Sequence, residues 1–357
     1  SLCYKKLNMS KKDLSVLKHK KLSLDISTSL IYFNFKQFLN KSIKKKNFLV
    51  AVSGGPDSLA LAALSNAYKC EKKNKIFFVL IDHGIRSSSS REAKAVKSLL
   101  KNKQIKLTIL KNKVKIKKNI QSQARDVRYK LLLSFCSKNK IKFILTGHHR
   151  DDQIETFLIR LSRGSGIQGL SSMKKISSLN KNIKLIRPLL DEKKNSLTII
   201  AKQYFGKIFK DPSNINKKYL RTKIRVLIKQ FEKSGIKHEQ IISSINNLGV
   251  TRDTLNTYIH RVEKSCITKK AKTVVINFKK FSKENNEIQL KVFSNCIKNI
   301  SKNYYPPRAK KIINLLNKIK SNSDLKATLG GCIIQKNNNN LVIYKEKLKK
   351  KLINLKF

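Results

Sequence analysis

Over the first half of the chain, short and wholly apolar runs alternate with longer stretches of helical periodicity. Phe48 to Val52 is the first such run; Ser53-Gly54-Gly55-Pro56-Asp57-Ser58 follows it, then a helix through Leu59 to Leu64. Ile76 to Ile81, Lys106 to Leu110 and Lys142 to Leu145 read as three further strands. Helices are predicted after them at Ala93 to Leu100, from about Ile120 to Ser137, and from about Asp151. A strand that is apolar throughout is buried on both faces, as in a parallel sheet covered by crossover helices. Ligands of such sheets sit at the carboxyl ends of the strands. The unusual residues of this chain fall at three such ends, 53–58, 82–86 and 146–155.

The flanking segments differ. Residues 1–25 are lysine-rich without periodicity and are expected to be a mobile basic leader, with Met9 an alternative start. A short helix is predicted from Ile26 to Leu39. After Pro188 the alternation stops: 189–234 reads as helical around a polar loop at 211–214, and 235 to about 320 as mostly helical, including Pro307 to Ile319. Thr328 to Ile334 and Leu341 to Tyr344 read as two strands joined by Lys336 to Asn340, a small hairpin. The expected organisation is therefore the leader 1–25, an α/β parallel-sheet domain at 26–234, and a mainly helical domain at 235–357 that carries the hairpin.

Composition narrows the classes. The chain has 357 residues and a formal charge of +59, with 40% hydrophobic content, which suits a folded multidomain protein. No apolar run approaches the ~20 residues of a membrane span, and the polar start does not read as a signal peptide. Of the 80 basic residues 67 are lysine, so lysine abundance reflects overall composition and is weak evidence for nucleic acid. The arginines say more: ten of 13 lie between 86 and 225, and a guanidinium offers a flat two-pronged fork to phosphate or carboxylate. Arg91 and Arg160 read as ordinary helix-surface charges. The six cysteines form no CxxC, which points to a reducing cytoplasm and against zinc, iron–sulfur or disulfide frameworks.

Three segments carry candidate chemistry. The 53–58 loop, between a strand and a helix, can aim backbone N–H groups and two hydroxyls at a phosphate; it lacks the lysine of a Walker A loop. A side chain at Gly54 is expected to block the phosphate's approach. Asp82 to Arg86 is either a polar turn or part of the site. His148-His149-Arg150-Asp151-Asp152-Gln153-Ile154-Glu155 is the densest polar cluster, with three of the chain's 21 acids inside five positions. On a helix opening near Asp151, Asp152 and Glu155 share a face and could hold Mg²⁺ or an ammonium group. A transition-metal site is the weaker alternative. The glycine-rich stretch 163–170 reads as a phosphate- or RNA-contacting loop or a plain connector. Arg221 and Arg225, one turn apart, resemble an anion clamp.

Taken together, SGGPDS, HGIR, GHHRDDQIETFLIRLSRGSGIQGL, RPLL at 187–190 and DPSN with the later arginines resemble the tRNA(Ile)-lysidine synthetase family. The resemblance is dense over about 47–225 and weaker beyond, where YPPR at 305–308 and the TLGGC hairpin carry it. SGGxDS alone would indicate only the wider PP-loop ATP pyrophosphatases, an adenine nucleotide alpha-hydrolase-like fold. Arg150 and Ile154 stand where small residues are expected, and the third domain of longer members is expected to be absent.

The resemblance implies ATP-dependent joining of lysine to C2 of the wobble cytidine of a CAU-anticodon isoleucine tRNA, through an adenylated cytidine. It implies Ser53, Gly54, Gly55, Pro56, Asp57, Ser58 and Arg128 for ATP. Asp57, Asp152, Glu155 and Arg225 would receive lysine, with Arg221 as the alternative to Arg225 at its carboxylate, and Arg128 and Arg125 would face the ATP phosphates or that carboxylate. Asp57, His148, Asp152 and Glu155 would act in catalysis, and Asp57 with Asp152 would serve Mg²⁺. The expected partners are that tRNA and free L-lysine, with no membrane; a homodimer is left open. The rivals are a tRNA thiolase, disfavoured by the absence of paired cysteines, an amide-forming PP-loop synthetase, and a non-catalytic RNA-binding protein.

Overall fold

A computed structural model describes residues 26–71, 74–112, 114, 120–209, 220–269, 273–302 and 306–346. The expected leader at 1–25, the DPSN segment and Tyr305 lie outside them. The chain divides into two compact units, Ser1–Leu248 and Gly249–Phe357.

The first unit opens with α1 (Ile26–Ser42), β1 (Phe48–Val52), α2 (Pro56–Glu71), β2 (Ile76–Asp82), α3 (Ser89–Lys101) and β3 (Leu107–Lys111). It continues through α4 (Ile120–Lys138), β4 (Phe143–Leu145), α5 (Arg150–Leu161), the single-turn α6 (Ile167–Leu170), β5 (Ile176–Ser178) and β6 (Lys184–Ile186). Next come α7 (Lys194–Phe205), α8 (Leu220–Lys233) and α9 (His238–Cys266), the last running across the division between the units. Six strands form one sheet in the order β3-β2-β1-β4-β6-β5, parallel except for β5 against β6.

Both faces of this sheet are covered, as the apolar strands require. Phe48, Val50 and Val52 of β1 face a core with α1, α2, α3 and α7, whereas Leu49 faces a second core with Leu132 and Cys136 of α4. Helix α2 is buried along nearly its whole length, from Ser58 to Tyr68, so its polar atoms need internal partners. Asn66 donates to the Tyr204 hydroxyl at 2.9 Å and the Tyr68 hydroxyl to Asn40 at 3.0 Å. A third apolar cluster locks α5 to α8 and the start of α9 through Ile154, Leu158, Ile224, Ile228, Ile241 and Ile245. Ile154, an unexpected residue by family resemblance, is thus a packing residue.

β5 and β6 extend the sheet beyond the four strands read from periodicity. At three residues each, they are too short to display a period of two, and their pairing is set by the neighbouring β4.

In the second unit β7 (Ile267–Lys269), β8 (Thr273–Asn277), α10 (Phe278–Phe281), α11 (Asn286–Ser301) and α12 (Ala309–Ser321) precede β9 (Leu325–Leu329), β10 (Cys332–Asn337) and β11 (Asn340–Lys345). The predicted hairpin is part of a five-stranded antiparallel sheet, β7-β8-β11-β10-β9, with α11 and α12 sharing its core. The segment 328–334, read as one strand, folds back on itself at Gly330 and Gly331, both at positive φ (64° and 77°). Two adjacent residues in that region make the tight turn that matches strand twist.

Lys336 is buried in this unit. Its ammonium donates to the carbonyls of Ile319 and Asn322 at 2.7 and 2.6 Å, at the end of α12, and stands 4.3 Å from the centre of the Phe278 ring. A cation there complements the negative end of the helix and satisfies carbonyls that no later turn can reach. Lys336→Met should therefore lower the stability of the full chain by about 2 kcal/mol, read as a reduced urea midpoint. An unchanged midpoint would mean that water replaces the ammonium at no cost.

Candidate active site

The sheet order reverses direction between β1 and β4, so the loops leaving these two strands open on the same crevice. Ser53 to Ser58 leaves β1 and Thr146 to Arg150 leaves β4. Their contact is a backbone one: a Cβ built on Gly147 would lie 2.7 Å from the Asp57 carbonyl oxygen, 2.9 Å from its carbon and 3.1 Å from the Ser58 nitrogen. Only glycine lets the β4 loop come this close.

The anion loop is braced internally. Ser58 Oγ accepts from the Ser53 N–H at 3.0 Å and from the Ser53 hydroxyl at 3.1 Å, and donates to the Gly55 carbonyl at 3.0 Å. This hydroxyl, expected to face a phosphate, braces the loop from within. Gly54 has φ of 86°, which favours glycine, and a Cβ there would meet Val96 Cγ2 at 2.6 Å and Phe209. The expectation of a blocked phosphate approach is thus corrected: a side chain at Gly54 collides with the packing beneath the loop.

On the β4 side, His149 precedes α5 and its backbone N–H donates to Asp152 Oδ2 at 3.1 Å, capping the helix start. Its Nε2 lies 3.6 Å from Asp57 Oδ2 and 3.6 Å from Asp152 Oδ2, so these oxygens are at most twice that distance apart. Glu155, one turn further, is buried and held by two arginines of α8. Arg221 Nε donates to Oε2 at 2.9 Å and Arg225 Nε to Oε1 at 2.6 Å, while Arg221 also approaches Asp152 at 3.6 Å. Arg221 and Arg225, read as an anion clamp, grip Glu155. Asp57, Asp152, Glu155, Arg221 and Arg225 therefore come together from three segments of the chain.

The arginines also set the state of His148. Burial, and then the positive charges of Arg187, Arg125, Arg221 and Arg128, push its imidazole down to about 3, so it is neutral at physiological pH. Thr146 Oγ1 lies 2.8 Å from its Nδ1. His83 behaves similarly: burial and Arg128 push it down to about 4, against an opposing pull from Asp82. Asp82 braces its own loop, accepting from the Gly84 N–H and the Ser90 hydroxyl. For His149 burial acts downward, but Asp57, Asp152 and Asp151 outweigh it and the imidazole is raised.

Other arginines and polar residues of this stretch are structural, among them Arg160, read from sequence as a surface charge. Arg160 donates to the carbonyls of Gly169 and Ser172 and holds the 163–170 loop, and Arg187, buried, donates to Lys174 and Ser177. Arg150 pairs with Glu239 at 2.8 Å, joining α5 to α9. Gln153 makes a two-way amide contact with Met173. Gly147 and His149 carried no assigned role; a glycine at a strand's carboxyl end and a histidine beside three acids were the signals available. A cleft of about 670 Å³ opens beside Glu155 and Arg225, lined also by Asp151, Lys194, Lys229 and His238.

Among the described residues, no group of three or more His, Cys, Asp or Glu side chains converges as a metal site. Asp57 and Asp152 offer two carboxylates, and Asp57 Oδ1 is buried without a hydrogen-bond partner. That fits Mg²⁺, which commonly binds one or two carboxylates and completes its shell with substrate phosphates and water. No described helix is long and apolar enough to cross a membrane.

A six-stranded, mainly parallel sheet with a glycine-turned anion loop after its central strand defines a PP-loop protein. A family model for the PP-loop domain matches residues 28–231. The solved U34-tRNA thiolase NcsA from Methanococcus maripaludis, with its [4Fe-4S] cluster, shares the fold: TM-score 0.51 at 20% identity, over 62% of this chain and 79% of that one. Much stronger likeness joins the chain to curated tRNA(Ile)-lysidine synthases. That of Wolbachia pipientis wMel is 37% identical over 320 residues, covering 87% of this chain and 74% of the relative. Those of Orientia tsutsugamushi (strain Boryong) and Rickettsia typhi (strain ATCC VR-144 / Wilmington) are 35% and 31% identical, over 83% and 89% of this chain and 69% and 74% of theirs. The chain belongs to the tRNA(Ile)-lysidine synthase family.

Gly147→Ala should raise the KM for ATP about tenfold or more, because backbone atoms of the anion loop cannot step aside as a side chain could; wild-type ATP kinetics would show that the contact does not matter. Between about pH 6.5 and pH 4 the unfolded chain takes up protons that His148 and His83 refuse when folded, so stability falls on acidification. Urea midpoints at pH 7 and pH 5 should differ less in His83→Gln or His148→Gln than in the parent protein.

Proposed function

We propose that this chain joins lysine to C2 of the wobble cytidine of a CAU-anticodon isoleucine tRNA, consuming ATP and releasing pyrophosphate and AMP. The observation that carries this reading is the meeting of an anion loop and an acid cluster at neighbouring strand ends, with Asp57 and Asp152 on one imidazole nitrogen. In the first half-reaction, the cytidine O2 attacks the α-phosphorus of ATP and pyrophosphate leaves. The N–H groups of Gly54, Gly55, Asp57 and Ser58, at the turn and the start of α2, surround the leaving phosphates, and Arg128 faces them from α4. His148, uncharged and with Thr146 at Nδ1, donates from Nε2 to a phosphate or to the cytosine. Asp57 and Asp152 would hold Mg²⁺, which when bound offsets charge building on the leaving pyrophosphate.

In the second half-reaction the lysine ε-amine attacks C2 and expels AMP. The ammonium docks among Asp57, Asp152 and Glu155, and one carboxylate of this group takes the proton that must leave before attack. Arg225 and Arg221 receive the α-carboxylate of lysine beside Glu155, and the adjoining cleft accommodates the rest of the amino acid. A thiolase reading is less favoured, since the cysteines are dispersed and four of the five described ones are buried thiols.

The test is incubation with ATP, labelled lysine and CAU-anticodon isoleucine tRNA, beside elongator methionine tRNA. Label should enter the isoleucine tRNA alone, and Asp152→Ala should abolish incorporation while tRNA still binds. Label in both tRNAs, or in neither, would overturn the assignment.

A further inference from the structure

His149 is among the most buried polar residues of the chain, at 4% exposure, and the half-reactions above leave it without a task. A buried imidazole ordinarily satisfies both ring nitrogens. Here Nε2 is shared between two carboxylate oxygens at 3.6 Å each, beyond the ~2.7–3.2 Å of a full hydrogen bond. Nδ1 is buried without a hydrogen-bond partner, with Asp151 Oδ1 at 4.0 Å. Asp57 Oδ1 is likewise buried and unpartnered. Polar capacity is thus left unspent around one point between two strand ends.

Two carboxylates this close repel each other, and nothing covalent links the loops that carry them. The His149 backbone fixes the ring on the β4 side, because its N–H is tied to Asp152. The ring then reaches across to Asp57, the one acid contributed from the β1 side. Asp152 is also drawn toward Arg221, so without the imidazole the two acids would separate.

We propose that His149 is a positioning residue for the lysine half of the reaction: through Nε2 it holds Asp57 and Asp152 at the separation that receives a primary ammonium. This rests on the proposed function. It assigns His149 an indirect part, with the carboxylates making the contact to substrate. The two histidines of the cluster then divide the work, His148 serving the nucleotide and His149 the amine.

Three substitutions separate this role from simple packing. The amide nitrogen of His149→Gln can occupy the place of Nε2, that of His149→Asn only the place of Nδ1, and His149→Phe fills the volume with neither. Lysine and ATP KM values would be measured in lysidine formation, with lysine affinity by calorimetric titration of the full chain. His149→Phe and His149→Asn should raise the lysine KM and Kd about tenfold more than the ATP KM, and His149→Gln should restore both to within about threefold. Equal movement of the two KM values, or Asn and Gln behaving alike, would overturn the proposal. Where His149→Phe fails to fold, the Gln–Asn comparison decides. A parent protein that binds lysine yet forms no lysidine would overturn the reaction while the titration still judges His149; normal turnover with lysine affinity unmoved in every variant would overturn the positioning role alone.

Discussion

The site depends on how closely two neighbouring parallel strands allow their loops to approach. β1 and β4 are adjacent at the point where the sheet reverses its order, and the missing side chain of Gly147 lets the second loop rest against the backbone of Asp57. From that contact follow the placement of His149, the start of α5 and the direction in which Asp152 and Glu155 point. Because the contact is between backbone atoms, rotamer changes cannot relax it, and the geometry of the acids inherits the rigidity of the sheet.

Electrostatics then divide the site by range. A chain of charge +59 presents a field that draws a polyanion from a distance. At short range Asp57, Asp152 and Glu155 form an acidic point inside that field, kept from mutual repulsion by Arg221, Arg225 and His149. Burial, with the charges of Arg187, Arg125, Arg221 and Arg128, holds His148 neutral. Under the proposed function a nucleic acid is met by the surface as a whole, and a cationic amine by half-buried Asp57 and Asp152 with buried Glu155.

Local pattern made much of the first unit legible. Apolar strands, helical periodicity and the glycine turn after β1 appear in the sequence because burial on both faces leaves no room for polar positions. β5, β6, β7 and β8 escaped notice, being short or, in the second unit, embedded among helices. The 328–334 segment reads as one strand through its turn because apolar residues flank the two glycines without interruption. Ser58 reads as a phosphate donor from its position in the loop; that it spends its hydroxyl on Ser53 and Gly55 is visible only in three dimensions.

Residue type sets the kinds of chemistry present, because it decides which groups can donate, accept or carry charge: a glycine-turned anion loop, a dense acid cluster with two histidines, and arginines concentrated in one stretch. Which of these groups face one another follows from the fold alone. Arg221 and Arg225 grip Glu155, Arg160 and Arg187 hold backbone, and His149 stands between acids from two loops. The pairings of Glu155 with Arg221 and Arg225, and of His149 with Asp57, join positions far apart along the chain, so they arise from strand order and close backbone approach, which no local pattern encodes.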